Sequence, residues 1–189
     1  RRRNQEHEGF ECVSPEEAGM DDQWTEIADA IQSSNPEQVN EALDQIKQMD
    51  ADERARLFDI GFDELRTIYA DSDDGYVRQS VVRVIEQLTP GMAATFLIED
   101  EDRLTDETGE GMQQRIDAIC SFLLETIEDE DGRVRQSTKR GLKDVYRSYD
   151  ALGDDDTIAT LSAELDDRAE QSSGKQRDHL LDTKEDAEF

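Results

Sequence analysis

The chain has almost no cysteine. Two occur in 189 residues, Cys12 and Cys120. A disulfide framework and a cysteine zinc site are both excluded. Histidine is as scarce. His7 and His179 stand alone in the two end segments, so no pair has metal-ligand spacing. Long apolar runs are missing as well. The longest, Met92 to Ile98, is seven residues, where a membrane helix needs about 18. No stretch alternates apolar and polar residues with β-branched enrichment, so strands are not expected. Gly174-Lys175 lacks the upstream glycine of a phosphate loop.

What is abundant is acid. Asp and Glu total 49 against 21 Lys and Arg, a formal net charge of −28. Leu, Ile, Val and Phe number 39, close to the roughly 20% that with high net charge marks disorder. The acids are spread along the chain rather than gathered in a tail. Nucleic-acid binding as a whole-surface property is excluded. Lys is rare, 5 residues against 16 Arg. At about 1 M salt the Debye length is roughly 3 Å, so the self-repulsion of the excess acids is screened. Carboxylates then keep the surface hydrated and the protein dispersed. Few lysines fit the same setting, because salt strengthens association of their apolar stems. Acidity of this kind resembles that of proteins from halophilic archaea. The resemblance implies a salt-rich cytoplasm, and it removes acidity as a clue to the partner. Arg1-Arg2-Arg3-Asn4 precedes no apolar stretch, so it is not a secretory signal. The chain lacks an initiator Met and is expected to be trimmed or part of something longer.

Helical spacing decides in favour of a folded chain. Residues 1–20 are expected to be flexible, with a weak helix start at Ser14-Pro15-Glu16-Glu17. Trp24, Ile27, Ala28 and Ile31 follow helical spacing. Asn35-Pro36 ends that helix and opens the next. Val39, Leu43 and Ile46 line the second, and Leu57, Phe58, Phe62, Leu65 and Ile68 a third. The acids Asp71, Asp73 and Asp74 open a fourth, which runs to about Leu88 and stops at Thr89-Pro90-Gly91. Met92 to Ile98 is expected to be a short helix and 99–110 an acidic loop. Two further helices span about 111–128 and 132–149. Gly153 breaks the chain before a C-terminal helix within 151–170, and 171–189 is expected to be an acidic, frayed tail.

The strongest signal is a repeat. Asp74-Gly75-Tyr76-Val77-Arg78-Gln79-Ser80-Val81-Val82-Arg83 matches Asp131 to Arg140 at seven of ten positions, 57 residues apart. Leu65-Arg66-Thr67-Ile68 and Leu124-Glu125-Thr126-Ile127 precede the two copies. This matched pair is similar to HEAT-like repeats with an acidic turn followed by Val-Arg. The resemblance implies an all-α, short HEAT-like α-α solenoid of antiparallel helix pairs over 21–150, with 99–110 as an insertion. Family units run nearer 40 residues, and the insertion accounts for the excess. The resemblance also implies that Arg78 and Arg135 pair with acids of a neighbouring turn. The turn Asp71 to Gly75 departs from a calcium loop, having Val82 where a bidentate Glu is needed.

Little in the sequence carries catalytic chemistry. Cys120 falls on an apolar helix side and reads as a small core residue. Cys12 has no base–orienter arrangement around it. No enzyme activity and no cofactor are expected. Some HEAT-like families include lyases and glycosylases, but no cleft for such a substrate can be placed. One constellation leaves the background. Gly132 to Arg147 holds six bases and one acid. On a helical wheel, Val134, Thr138, Gly141, Leu142, Val145 and Tyr149 share an arc of about 100°, with Arg133, Arg140, Lys143 and Arg147 opposite. Three readings remain open. The stripe is a solvated face paired with nearby acids. It docks an acidic segment, either 99–110 or part of another protein. Or it contacts nucleic acid. Four phosphate contacts would lose roughly five decades of affinity between about 0.15 and 4 M salt, and no aromatics interleave to add stacking. The leading expectation is a non-enzymatic cytoplasmic adaptor or scaffold that binds another protein. The alternative is a nucleic-acid-associated accessory protein using the same stripe.

Overall fold

The structure is a computed structural model that describes residues 15–88 and 106–187, with side chains over 19–88 and 111–186. All regular structure among these residues is helical. The eight helices are α1 (Pro15–Gln32), α2 (Pro36–Gln48), α3 (Ala51–Asp71), α4 (Gly75–Leu88), α5 (Asp106–Thr126), α6 (Gly132–Leu152), α7 (Asp155–Gln171) and α8 (Gly174–Ala187).

Short polar residues set the boundaries. Asn35 accepts from the Glu37 amide with Pro36 in the first turn of α2. Asp50 and Glu53 form a reciprocal capping box on α3. Asp74, Asp131 and Asp154 accept from the amides of Tyr76, Arg133 and Thr157. Each carboxylate satisfies a free N–H and faces the positive end of a helix dipole. Gly153 ends α6 in the left-handed region at φ 71°, where an L side chain is strained.

Packing follows an order along the chain. The helices α2, α4, α6 and α8 meet in succession, and the α4–α6 contact is the most extensive in the molecule. On the other side α1 packs on α3. Helix α3 meets α5 through Phe62 and Tyr69, both edge-on to Phe122 at ring separations of 6.2 and 5.3 Å. The Asp59–Arg115 ion pair, 2.6 Å, joins the same two helices at the surface. One continuous core runs from Trp24 to Leu180.

The repeat register holds through the second helices. Val77, Ser80, Val81, Val84, Ile85 and Leu88 are buried on α4, as are Ser137, Thr138, Leu142 and Val145 on α6. The first helices behave differently. Thr67 is exposed and bonds the Asp63 carbonyl. Thr126 is fully buried and shares a 2.8 Å hydrogen bond with Thr138. The Leu-x-Thr-Ile identity is therefore a match of letters rather than of position. A shift of one residue, pairing Leu65 with Leu123 and Phe58 with Ile116, aligns the buried faces.

The C-terminal region differs from the sequence expectation. The frayed tail expected from 171 onward is helical over Gly174–Ala187, with Leu180 and Thr183 fully buried. Adjacent Leu181 points outward at 40% exposure. Ion pairs Lys184–Asp166 and Lys139–Asp186 tie α8 to α7 and α6. Of the acidic stretch 99–110, residues 106–110 open α5 rather than forming loop. The expected helix at Met92 to Ile98 and most of the segment 1–20 lie outside the described residues.

Helix α1 approaches α3 most closely at Gly61. A Cβ there would stand 2.5 Å from the Trp24 ring. Gly61→Ala gains about 1 kcal/mol of helix propensity but overpacks this contact at about 1–3 kcal/mol. We expect net destabilisation by thermal unfolding. Trp24→Leu, which makes room, should restore the usual benefit of alanine.

Candidate functional site

Two features stand out on the surface. The first is the stack of inter-helix turns. Ser34, between α1 and α2, donates to Asp74, between α3 and α4, at 2.9 Å. Asp131, between α5 and α6, presses its carboxylate against Gly75, where any Cβ would collide. Arg78 reaches from α4 to Asp129 in that same turn, with 2.9 and 3.1 Å bonds from Nε and Nη2. Its Nη1 donates to the Ser72 carbonyl. The Tyr69 hydroxyl donates to Asp129 at 2.5 Å. Burial alone would raise the Asp129 pKa, but the bonds from Arg78, Tyr69 and the Asp131 amide hold it below the usual carboxylate range. Arg133 holds the Asp131 carboxyl down at about 2. Arg78 thus makes the expected bond to a neighbouring turn. Arg135 does not follow it: Nη1 donates to the carbonyls of Asp129 and Glu130 in the turn before its own helix. The next turn, Ser172-Ser173, carries no carboxylate.

The second feature is the basic stripe. Arg133, Arg140 and Arg147 lie along α6 with side chains 56%, 54% and 65% exposed. The wheel placed them toward solvent, and that is where they are. Each also holds a carboxylate of its own chain. Arg133 bonds Asp131 at 2.6 Å, Arg140 grips both oxygens of Glu86 at 3.0 and 3.2 Å, and Arg147 bonds Asp144 at 3.1 Å. Lys143 is half-buried, within electrostatic reach of Asp144 and Asp186. Burial pushes the Asp144 carboxyl up while Arg147 and Lys143 pull it down. The arrangement spreads the four bases along the helix rather than converging them on one point.

Two contributors were not singled out by the sequence. Lys139 pairs with Asp186 at 2.8 Å. Arg83 on α4 donates to Asn40 of α2 at 2.9 Å. On the wheel Lys139 sits between the buried and polar arcs, and Arg83 is the counterpart of Arg140 in the first copy. Together α4 and α6 hold eight bases and three acids, a net of +5 in a chain of −28.

Two open grooves elsewhere are lined in part by acids. One, between α1 and α2, is lined by Glu26, Asp29 and Glu41. A second, against α3 and α4, is lined by Glu64 and Asp71. Among the described residues no group of three or more His, Cys, Asp or Glu side chains is placed to hold a metal ion. No described helix is long and apolar enough to cross a membrane. Cys120 is buried, and burial pushes its thiol up to about 11, far from a reactive thiolate. Nearby Tyr149 donates to Asp117 at 2.8 Å, a satisfied core hydroxyl. Cys12 and His7 lie outside the described residues.

Compared with known proteins, the chain matches no family model, no curated protein and no solved structure.

Proposed function

We propose that this chain is a non-enzymatic, cytoplasmic scaffold of a halophilic archaeon, and that its α4–α6 face takes an acidic segment of a partner protein. The observation that carries this reading is the net +5 on two adjacent helices of a strongly acidic chain. The architecture proposed for it is a HEAT-like solenoid of antiparallel helix pairs. The succession α2–α4–α6–α8, the shared register of α4 and α6, and the Arg78 bond to the next turn support that architecture. A stack of this kind offers a long exposed face suited to an extended partner.

The stripe's present ion pairs do not block it. The Arg140 and Arg147 side chains are 54% and 65% exposed while Glu86 and Asp144 are 14% and 23% exposed, so a partner carboxylate adds to these pairs rather than displacing them. The planar fork of arginine also fits a carboxylate through two parallel bonds, as Arg140 does with Glu86. In molar salt only such contact-range pairs persist. That favours a geometrically matched acidic peptide over a diffuse polyanion such as nucleic acid.

The test is capture of partners from a halophile lysate in molar KCl, with and without nuclease. Wild type is compared with the combined Arg133→Glu, Arg140→Glu, Lys143→Glu and Arg147→Glu variant. Three exposed arginines and the half-buried Lys143 together predict a loss of about tenfold or more in bound partner. A defined protein that survives nuclease and is lost from the variant is the expected result. Signal lost with nuclease would hand the stripe to nucleic acid. Equal capture by both proteins would remove the stripe from function.

A further inference from the structure

Helix α8 is held by few apolar contacts. Its fully buried side chains are Leu180 and Thr183, and the Thr183 hydroxyl turns back to the His179 carbonyl. His179 lies between these and the α6 surface, half-buried. One ring nitrogen is satisfied by a hydrogen bond with the Arg135 backbone. The other, Nε2, is buried and has no hydrogen-bond partner among the described residues.

We propose that α8 is a proton-released cap, in which protonation at His179 Nε2 undocks the helix from α6 and α7. A neutral imidazole leaves only an unpaired lone pair at that buried site. A proton there adds a charge and a donor with no acceptor, and desolvation of such a charge is costly.

The charged surroundings work in the same direction. From α6, Arg135 and Lys139 repel an imidazolium; from α8 itself, Asp182 attracts it. Asp186 is engaged by Lys139, and on the α7 side Asp166 is engaged by Lys184. Glu128, before α6, accepts from Gln176. Among the described residues Asp182 is thus the one carboxylate acting on the ring, and Arg135 and Lys139 oppose it. Burial first, then Arg135 and Lys139, push the His179 pKa below its ordinary 6.5. A depressed folded-state pKa means the docking contribution is whole above the unfolded value and is lost as pH falls through the folded one. The loss begins as pH falls below the ordinary 6.5, where Asp129 and Asp131, held below 3.8, stay charged. Helix α8 is therefore expected to loosen before that clasp does. Release also takes the Asp186 carboxylate away from Lys139 and Lys143, enlarging the cationic face.

The experiment is an NMR pH titration of the full chain in molar KCl. It follows the His179 ring resonance, assigned by its loss in His179→Gln, together with the amides of Leu180 and Thr183. Leu43 and Leu65 serve as core references. We expect the α8 amides to lose their native positions in step with His179 while the references hold. His179→Gln, or His179→Leu if Gln docks poorly, should keep α8 in place across the same range. Two results would overturn the proposal: α8 amides unmoved while His179 titrates, or the same release in a neutral variant. Should both variants be undocked at neutral pH, the wild-type titration decides alone. Release that follows the carboxylate range instead of His179 would then reject it.

Discussion

Asp129→Ala lowers the unfolding free energy by about 3–5 kcal/mol, the range for breaking a buried ion pair from one side. The pair qualifies as buried. The Asp129 side chain is 5% exposed and the Arg78 side chain 11%. The carboxylate accepts from Arg78, from the Tyr69 hydroxyl and from the Asp131 amide. Truncation leaves the Tyr69 hydroxyl and the Asp131 amide without this acceptor, and leaves Arg78 with the Ser72 carbonyl and the exposed Glu130. Unsatisfied buried groups carry their full desolvation penalty. Helices α3, α4 and α6 are all tethered at this point, so the loss falls on the global transition rather than on one loop. Lys47→Ala is the contrast. That side chain is 54% exposed and its partner Asp44 65%, and its removal costs about 1 kcal/mol or less. Chemical denaturation in molar KCl reads both. Replacing the pair with apolar residues, Arg78→Met with Asp129→Leu, should recover much of the loss, because what harms the single variant is a buried guanidinium left with only the exposed Glu130 as counter-charge.

The same clasp sets the acid limit of the fold. Asp129 and Asp131 both have folded pKa values below the ordinary 3.8. Their contribution is complete above that value and is lost as pH falls through the folded values, about 2 for Asp131. Wild type should therefore destabilise steeply in that window, and Asp129→Ala should show a shallower acid limb. A slope unchanged by the substitution would mean that other carboxylates carry the acid transition.

Much of this was legible in the sequence because it rests on periodicity and on capping chemistry. The buried faces of α2, α3, α4 and α6 follow from apolar spacing, and Asn35, Asp50 and Asp131 mark helix starts through the residues they must cap. The Val-Arg motif pointed to a bond between turns, and Arg78 makes it. Its acceptor, 51 residues away, could not be chosen among so many acids. Helix α8 was not legible. Only Leu180 and Thr183 are fully buried, so its apolar signal is one leucine, and its docking depends on ion pairs with α6 and α7. Nor was the pairing of Arg140 with Glu86, which exists only because α4 and α6 pack side by side. The stripe itself was visible. Whether it is a docking face depends on which carboxylates it prefers, and a single sequence does not encode the partner's.

Leu142→Asp tests the register itself. Leu142 is fully buried at the middle of α6 and corresponds to Ile85 in the first copy. Mid-helix placement matters. An Asp near Val134, in the first turn, would gain from free amides and the helix dipole, softening the penalty. At Leu142 neither is available. Truncating a buried leucine to alanine already costs about 2–5 kcal/mol. A carboxylate there adds the cost of a buried polar group without a partner, about 1–3 kcal/mol on mutational scales. The sum is comparable with the whole stability of a typical domain, about 5–15 kcal/mol. We expect the cooperative thermal transition in molar KCl to be lost or to fall far below wild type. Lys143→Gln, one residue on, should cost far less, about 1 kcal/mol, because that side chain lies half-buried on the polar arc and no new charge is introduced. The contrast between neighbours is the diagnostic, since one residue of rotation exchanges the buried and exposed arcs by 100°. The introduced acid will have a raised folded pKa, so part of the Leu142→Asp deficit should shrink as pH falls toward the ordinary Asp range. Equal damage from both substitutions, or none from Leu142→Asp, would mean that α6 does not present this face to α4 and α5. The equivalence of the two copies would then fall with it.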